Sequence, residues 1–374
     1  MNKKVRDSNY ELLRIVSMIF IVAWHVILHG KILQQTNDIL NFVFNFVMAL
    51  LVVHVNCFML ITGYYQYKSN FKWKKVVSLV LQIAFYNLVI NSIFKIFGLV
   101  EYTNIEFLKQ IFFFNFDSYW FFRCYIIVYV FSPFLNKLID LFDKKRMKTI
   151  ILCCFMCFSI LPFITGNLFF PTDGFSVYQF VFMYFVGAYI RKFDFNKEFM
   201  KKNNITQKRF LYIVVYILCA VFNFSLFCTQ LVMNGLSSNI SQYIGGILSL
   251  YNRLYNNPLI VIQSISLFLL FGTYNFKNKI INKISSLTFG VYLIHESYYM
   301  RINLYKWIGI DKGHMLYGKT LILKAFIWII IIFVLCSIIE WIRQLLFKMI
   351  SKLKIARKID NKFMTWLIHL TEVK

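Results

Sequence analysis

Proline is scarce in this chain, with four in 374 residues, and acidic side chains are few, with 16 Asp and Glu against 41 Lys and Arg. There is no repeat of solenoid period, no low-complexity tract and no large polar segment at either end. These absences exclude a stacked-repeat protein and an appended soluble domain. Pro162, Pro171 and Pro258 read as span ends, whereas Pro133 falls inside a span, where the ring kinks a helix. Basic loops alternate with loops poor in charge, which is the pattern of membrane topology and not of a nucleic-acid surface, so the formal charge of +25 implies no nucleic-acid partner. No cleavage-like site follows the first apolar run, which also carries a charge, so it reads as a retained span and not as a signal peptide.

What is abundant is apolar and aromatic: 59% of the residues are hydrophobic and 20% are Phe, Trp or Tyr. Apolar runs of bilayer-crossing length recur throughout. The expected fold is all-α, a polytopic membrane protein of about ten transmembrane helices. The spans are placed at 10–30, 38–64, 76–98, 119–141, 148–166, 175–192, 209–230, 257–276, 285–304 and 320–346. The short runs at 106–116 and 240–251 suit re-entrant or interfacial helices. Lys and Arg crowd the N-terminus, the loops at 65–75, 137–148, 191–209 and 277–283, and the C-terminal tail, while the 166–176 loop has none. Both termini are therefore expected in the cytoplasm of a multi-pass cell-membrane protein. Residues 1–346 form the transmembrane domain. The segment 347–374 interleaves lysines with Phe347, Met349, Ile350, Leu353 and Ile355, as a basic amphipathic tail on anionic membrane lipid would.

The eight cysteines fall almost entirely inside apolar runs. Cys154-Phe-Met-Cys157 has the spacing of a redox or zinc pair, yet it sits mid-span with no second pair, where cysteine behaves as a small hydrophobe. The six histidines are scattered and lack metal-ligand spacing with carboxylates, so no metal is expected.

Against this apolar background, Arg14 and His25 stand out. An ionisable residue at membrane depth is costly and signals function. Eleven residues of helix make three turns plus roughly 20°, so the two side chains face one way, about 16 Å apart along the axis. With Arg14 at the cytoplasmic edge, His25 lies near the midplane, and Glu11 and His29 fall close to the same stripe. The ninth span repeats the pattern: Thr288, Tyr292, His295, Glu296 and Tyr299 share one face, and His295 reaches a depth similar to that of His25. Histidine suits proton abstraction because its pKa lies near working pH. His25, His295 and Glu296 are the candidate catalytic residues, with Glu296 or Glu11 orienting an imidazole. Membrane histidines also serve as interhelical hydrogen-bonders.

Arg14 and the Lys72-Trp-Lys-Lys75 cluster are cytoplasmic cations able to clamp phosphates; for the lysines, topology alone is the competing explanation. On the outer side, Asp117, Tyr119, Trp120 and Arg123 open the fourth span. They fit either an interfacial aromatic belt or a carbohydrate-stacking surface. Asn41, Asn45 and Asn56 form a polar stripe suited to interhelical packing, and His54 lies off it with no assigned role.

These residues resemble the bacterial integral-membrane acyltransferase-3 family. Arg14-x10-His25 looks like its first-helix signature. Ser285 to His295, ending Thr-Phe-Gly-Val-Tyr-Leu-Ile-His, looks like its late-helix segment. Tyr119-Trp120-Phe121 through Ser132-Pro133-Phe134-Leu135-Asn136 is similar to its middle segment. Lys72-x-x-Lys75 stands where the family carries Arg-x-x-Arg, and lysine lacks the planar fork of arginine. The resemblance implies transfer of an acyl group, usually acetyl from acetyl-CoA, onto a sugar of an envelope or exported glycan, with a lipid-linked sugar as another acceptor. A glycan flippase or polymerase would carry more intramembrane cations or a large external loop. A secondary transporter would show broken segments in two matching halves. None of these features is evident, and the sequence carries no signal of oligomeric state.

The topology is testable with single cysteines in a background lacking the native ones. Cysteine at Gly166 is expected to react with an impermeant maleimide on intact cells, and cysteine at Asn203 to remain unlabelled. The reverse pattern overturns the orientation, and labelling of both overturns the span count between them.

Overall fold

The computed structural model describes residues 7–36, 38–101, 103–111, 119–165, 174–195, 204–236, 238, 240–242, 244–245, 254–311 and 318–350. Among the described residues there are helices and no strands. This follows from the bilayer as solvent: a helix satisfies its own backbone where no water can.

In chain order the helices are α1 (Ser8–His29), α2 (Ile32–Gln35), α3 (Asp38–Leu51), α4 (His54–Gln66), α5 (Trp73–Ile96), α6 (Asn104–Ile111), α7 (Trp120–Leu141) and α8 (Lys144–Phe155). A π-helical turn, Met156–Ile160, joins α8 to α9 (Leu161–Thr165). Then follow α10 (Val177–Lys192), α11 (Ile205–Gly235), α12 (Pro258–Gly272), α13 (Lys279–Ser285), α14 (Thr288–His295), α15 (Tyr298–Trp307) and α16 (Gly318–Ile350).

Local chemistry sets several boundaries. Thr103 and Glu106 form a reciprocal capping box ahead of α6, within the run expected to be interfacial or re-entrant. Asp143 caps α8 by accepting from the Arg146 backbone N–H at 2.7 Å. Pro258 opens α12, where its missing N–H costs nothing, and Asn257 caps the same turn through the Leu259 N–H. Pro133 lies inside α7, as expected. The π-turn ends two residues before Pro162, a residue that cannot donate to the helix ladder.

Among the described residues, seven helical rods are long and apolar enough to cross a membrane: Ser8–Gln35, Ile39–Gln66, Trp73–Ile96, Trp120–Leu141, Lys144–Thr165, Ile205–Gly235 and Thr320–Ile350. The other three expected spans are present as shorter elements. α10 and α12 have 16 and 15 residues, which rise only about 24 and 22 Å against a hydrocarbon core of about 30 Å. The 285–304 span is interrupted after His295 and continues as α15. Helix-period hydrophobicity reports an apolar stretch but not a break within it, so sequence alone reads it as one rod. The tail beyond residue 350 lies outside the described residues.

The rods sort by burial. In the most apolar window, 78% of the α3–α4 rod and 56% of the α1 rod lie inside the protein, against 17% of α16. α1 and α4 are central, and α1 touches α4, α12, α13, α14 and α16. The outer faces of α5, α11 and α16 present Leu, Ile and Phe, as lipid-facing surfaces do. α4 and α10 cross closely because a glycine stands at each contact. A Cβ on Gly63 would fall 2.2 Å from the Tyr184 carbonyl oxygen, and one on Gly187 would fall 2.3 Å from that of Leu60. Such small-residue crossings let backbones approach in a membrane.

Gly187→Leu must therefore force α4 and α10 apart. We expect a destabilisation on the order of 1–3 kcal/mol, read as earlier thermal unfolding in detergent. Unchanged unfolding would show that the two helices tolerate separation.

Candidate active site

α1 sets the axis of the site. Its 22 residues contain neither proline nor glycine, so the register from Arg14 to His25 is uninterrupted. Arg14 donates to Glu11 at 2.8 Å, one turn earlier, and Ser285 donates a very short hydrogen bond to the same carboxylate oxygen. Glu11 thereby ties the basic end of α1 to α13.

Three turns along, α1 meets the broken helix. His25 Nδ1 lies 3.0 Å from His295 Nε2 and 3.1 Å from Glu296 Oε2. His29 Nε2 lies 3.6 Å from the same Glu296 oxygen, and Arg301 of α15 donates to Oε1 at 3.2 Å. The break between α14 and α15 places this carboxylate: Glu296 ends α14, Ser297 donates to the Ile294 carbonyl, and Tyr298 starts the next helix. Three side chains from two helices, α1 and α15, thus surround Glu296, which is itself buried.

The hydrogen bonds determine a tautomer chain. His295 Nδ1 sits 2.5 Å from the carbonyl of Val291, one turn back in its own helix. A carbonyl only accepts, so Nδ1 carries the proton and Nε2 is an acceptor. His25 Nδ1 faces that acceptor and the Glu296 carboxylate, so it also carries its proton. The Nε2 of a neutral His25 is left with its lone pair, the form that can take a proton from a substrate. A positive charge developing on His25 would be balanced by Glu296. His25, His295 and Glu296, expected from sequence as the catalytic group, lie together.

The remaining expected site residues are dispersed. Lys72 caps α5, its backbone N–H donating to the Tyr129 hydroxyl, and the Lys75 ammonium lies 4.3 Å above the Tyr129 ring. Both pack on α7, whereas Arg14 is held on the α13 side. Tyr119 is buried, takes a left-handed backbone (φ 59°) and donates to the Leu293 carbonyl at 2.8 Å, which commits its hydroxyl to α14. Trp120 is half-buried and stacks on Tyr255, with Phe175 against its edge. Arg123 lies within electrostatic reach of Tyr292, and Asp117 lies outside the described residues. Asn56 donates to the carbonyl of Tyr255, in the turn before α12, and Asn45 donates to Asn41 within α3, a local bond where interhelical packing was expected.

Sequence reasoning did not name Arg301, placed His29 close to the Arg14–His25 stripe without a role, and gave His54 none. Arg301 follows a helix break that periodicity does not reveal. His29 lies one turn beyond His25 and is brought onto Glu296 by the tertiary fold. His54 is buried between Trp24 and Tyr255, and neither ring nitrogen has a hydrogen-bond partner. The scattering of histidines along the chain is thus misleading: donor atoms of His25, His29 and Glu296 gather within 4.8 Å of one another. Away from this site, buried Glu340 of α16 accepts from Gln82, Tyr86, Arg343 and Gln344, and Gly290 of α14 packs directly on it. Its charged partner and full set of donors make it a helix-packing group.

The family model for the acyltransferase-3 acyltransferase domain matches residues 7–342. The chain belongs to the acyltransferase-3 family. No curated protein and no solved structure matches it. Membership makes the chain a multi-pass membrane acyltransferase, and the matched region takes in α1, the broken α14–α15 pair and the histidine–glutamate cluster between them.

Proposed function

We propose that this acyltransferase moves an acetyl group from acetyl-CoA to a sugar hydroxyl of an envelope or exported glycan, with His25 as general base. The observation that carries the reading is the His295–His25–Glu296 arrangement, in which His25 Nδ1 bonds to His295 beside the Glu296 carboxylate and its Nε2 keeps the lone pair. His25 Nε2 takes the acceptor hydroxyl proton as the hydroxyl oxygen bonds to the thioester carbonyl carbon. The C–S bond then breaks, and the leaving thiolate receives the proton from His25. Glu296 offsets the transient imidazolium charge, and His295 acts as a positioning residue.

The donor enters from the cytoplasm in this reading, with both termini on that side of the cell membrane. Arg14 holds its phosphates, and Lys72 and Lys75 contribute from the same face. Arg14 is 26% exposed and uses one donor on Glu11, which leaves most of its guanidinium fork for an anion. The acceptor, a glycan or a lipid-linked sugar, approaches from the outer side past Asp117, Trp120 and Arg123, where half-buried Trp120 offers an aromatic surface.

His25→Ala is expected to lower acyl transfer by about 10²–10⁴-fold while the protein still elutes as a folded species. Wild-type turnover in the purified variant would overturn the role of His25 as base.

Arg14→Ala should weaken coenzyme A binding by roughly ten-fold or more, and Arg14→Lys by less, because lysine keeps the charge and loses the fork. Calorimetric titration of each variant reads this directly. Equal affinity in all three proteins would leave Arg14 a structural residue.

A further inference from the structure

We propose that His25, His29 and Glu296 form a binding site for a zinc-class divalent cation, and that occupancy of this site switches off the base. The geometry carries the first part. Tetrahedral zinc with bonds of 2.0–2.1 Å places neighbouring donor atoms about 3.3 Å apart. The two edges meeting at Glu296 Oε2 measure 3.1 Å to His25 Nδ1 and 3.6 Å to His29 Nε2. One donor atom from each of the three residues lies within 4.8 Å of the other two. His25 and His29 are one helical turn apart on α1, the i, i+4 pairing by which a single helix offers two imidazoles to one metal. The donors are two imidazoles and a carboxylate, a set suited to zinc.

The surroundings support the assignment. Arg301 holds the other oxygen of Glu296 at 3.2 Å, as an outer-sphere partner orients a ligating carboxylate. The His29 and His25 side chains are 23% and 16% exposed, so neither is sealed by the surrounding helices. Three protein ligands leave a fourth position for water.

The switch follows from the tautomer and rests on the acyltransferase reading above. Metal-free His25 carries its proton on Nδ1 and its lone pair on Nε2. Coordination through Nδ1 requires a lone pair there, so the single proton of the neutral ring moves to Nε2. A coordinated imidazole protonated at Nε2 cannot accept the acceptor hydroxyl proton. His25 Nδ1 therefore has two exclusive states, a proton donated to His295 beside Glu296, or a bond to the metal.

The test uses the purified full-length protein in detergent, stripped with a chelator and titrated with cobalt(II), whose visible d–d bands report coordination. One saturable equivalent is expected, displaced by stoichiometric zinc and weakened about ten-fold or more in both His29→Asn and Glu296→Gln. Absence of a saturable band in the wild-type protein overturns the site without recourse to any variant. So does a band of unchanged affinity in variants that elute as folded protein. Acyl transfer measured with and without zinc separates the two readings. Transfer that continues when cobalt displacement shows zinc to be bound overturns the switch alone. Metal binding in a protein with no transferase activity even when stripped leaves the site standing and counts against the acyltransferase mechanism.

Discussion

One buried carboxylate organises the centre of this protein. Glu296 lies where an uninterrupted helix passes a broken one, and an isolated charge there would carry a prohibitive desolvation cost. Its two oxygens are instead shared among His25, His29 and Arg301. Local features of the helices place the carboxylate and these partners. The unbroken register of α1 aligns the two histidines, the stop after His295 turns the carboxylate toward them, and the restart at Tyr298 brings Arg301 to its far side. Losing any of these would leave a charge without compensation, so the electrostatics and the helix break depend on each other.

The scaffold around this centre achieves rigidity without a hydrophobic driving force between helices, since lipid is as apolar as their side chains. Close approach does part of the work, at Gly63 and Gly187 between α4 and α10 and at Gly290 over Glu340. Buried polar bonds do the rest. Gln179 and Asn56 both donate to the Tyr255 carbonyl, Ser266 donates to that of Tyr212, and Tyr119 donates to that of Leu293. The aromatic side chains are less a belt than an internal packing medium. Trp120, Phe175 and Tyr255 lie against one another, as do Tyr10, Tyr64 and Phe268 nearer the basic end of α1.

In the proposed scheme, proton transfer at His25 Nε2 and cation binding at its Nδ1 exclude one another because the neutral ring carries a single proton. Imidazole is at once the base whose charge changes near neutral pH and the commonest metal ligand. Which of the two His25 serves depends on whether a proton or a metal occupies Nδ1, and that depends on the partners the fold supplies.

Much of this was legible in the chain itself. Apolar runs, basic-loop alternation and the absence of polar domains determined an all-α membrane protein, because bilayer thickness and backbone hydrogen bonding permit few other structures. The pairing of Arg14 with His25 on one face followed from helical periodicity, and His295 with Glu296 was marked by the rarity of ionisable groups in apolar segments. The tertiary structure alone decided the rest. It divided the 285–304 segment into α14 and α15, a break that leaves no trace in hydrophobic periodicity. It held Arg14 on the α13 side and Lys72 with Lys75 on α7, although all three share a charge sign. It turned Tyr119 from a surface candidate into a buried donor to Leu293. It also joined His29 and Arg301 to residues hundreds of positions away or across a helix break. Distance along the chain does not encode such meetings, because they arise only when separate helices exclude lipid together and the buried charges among them must find partners.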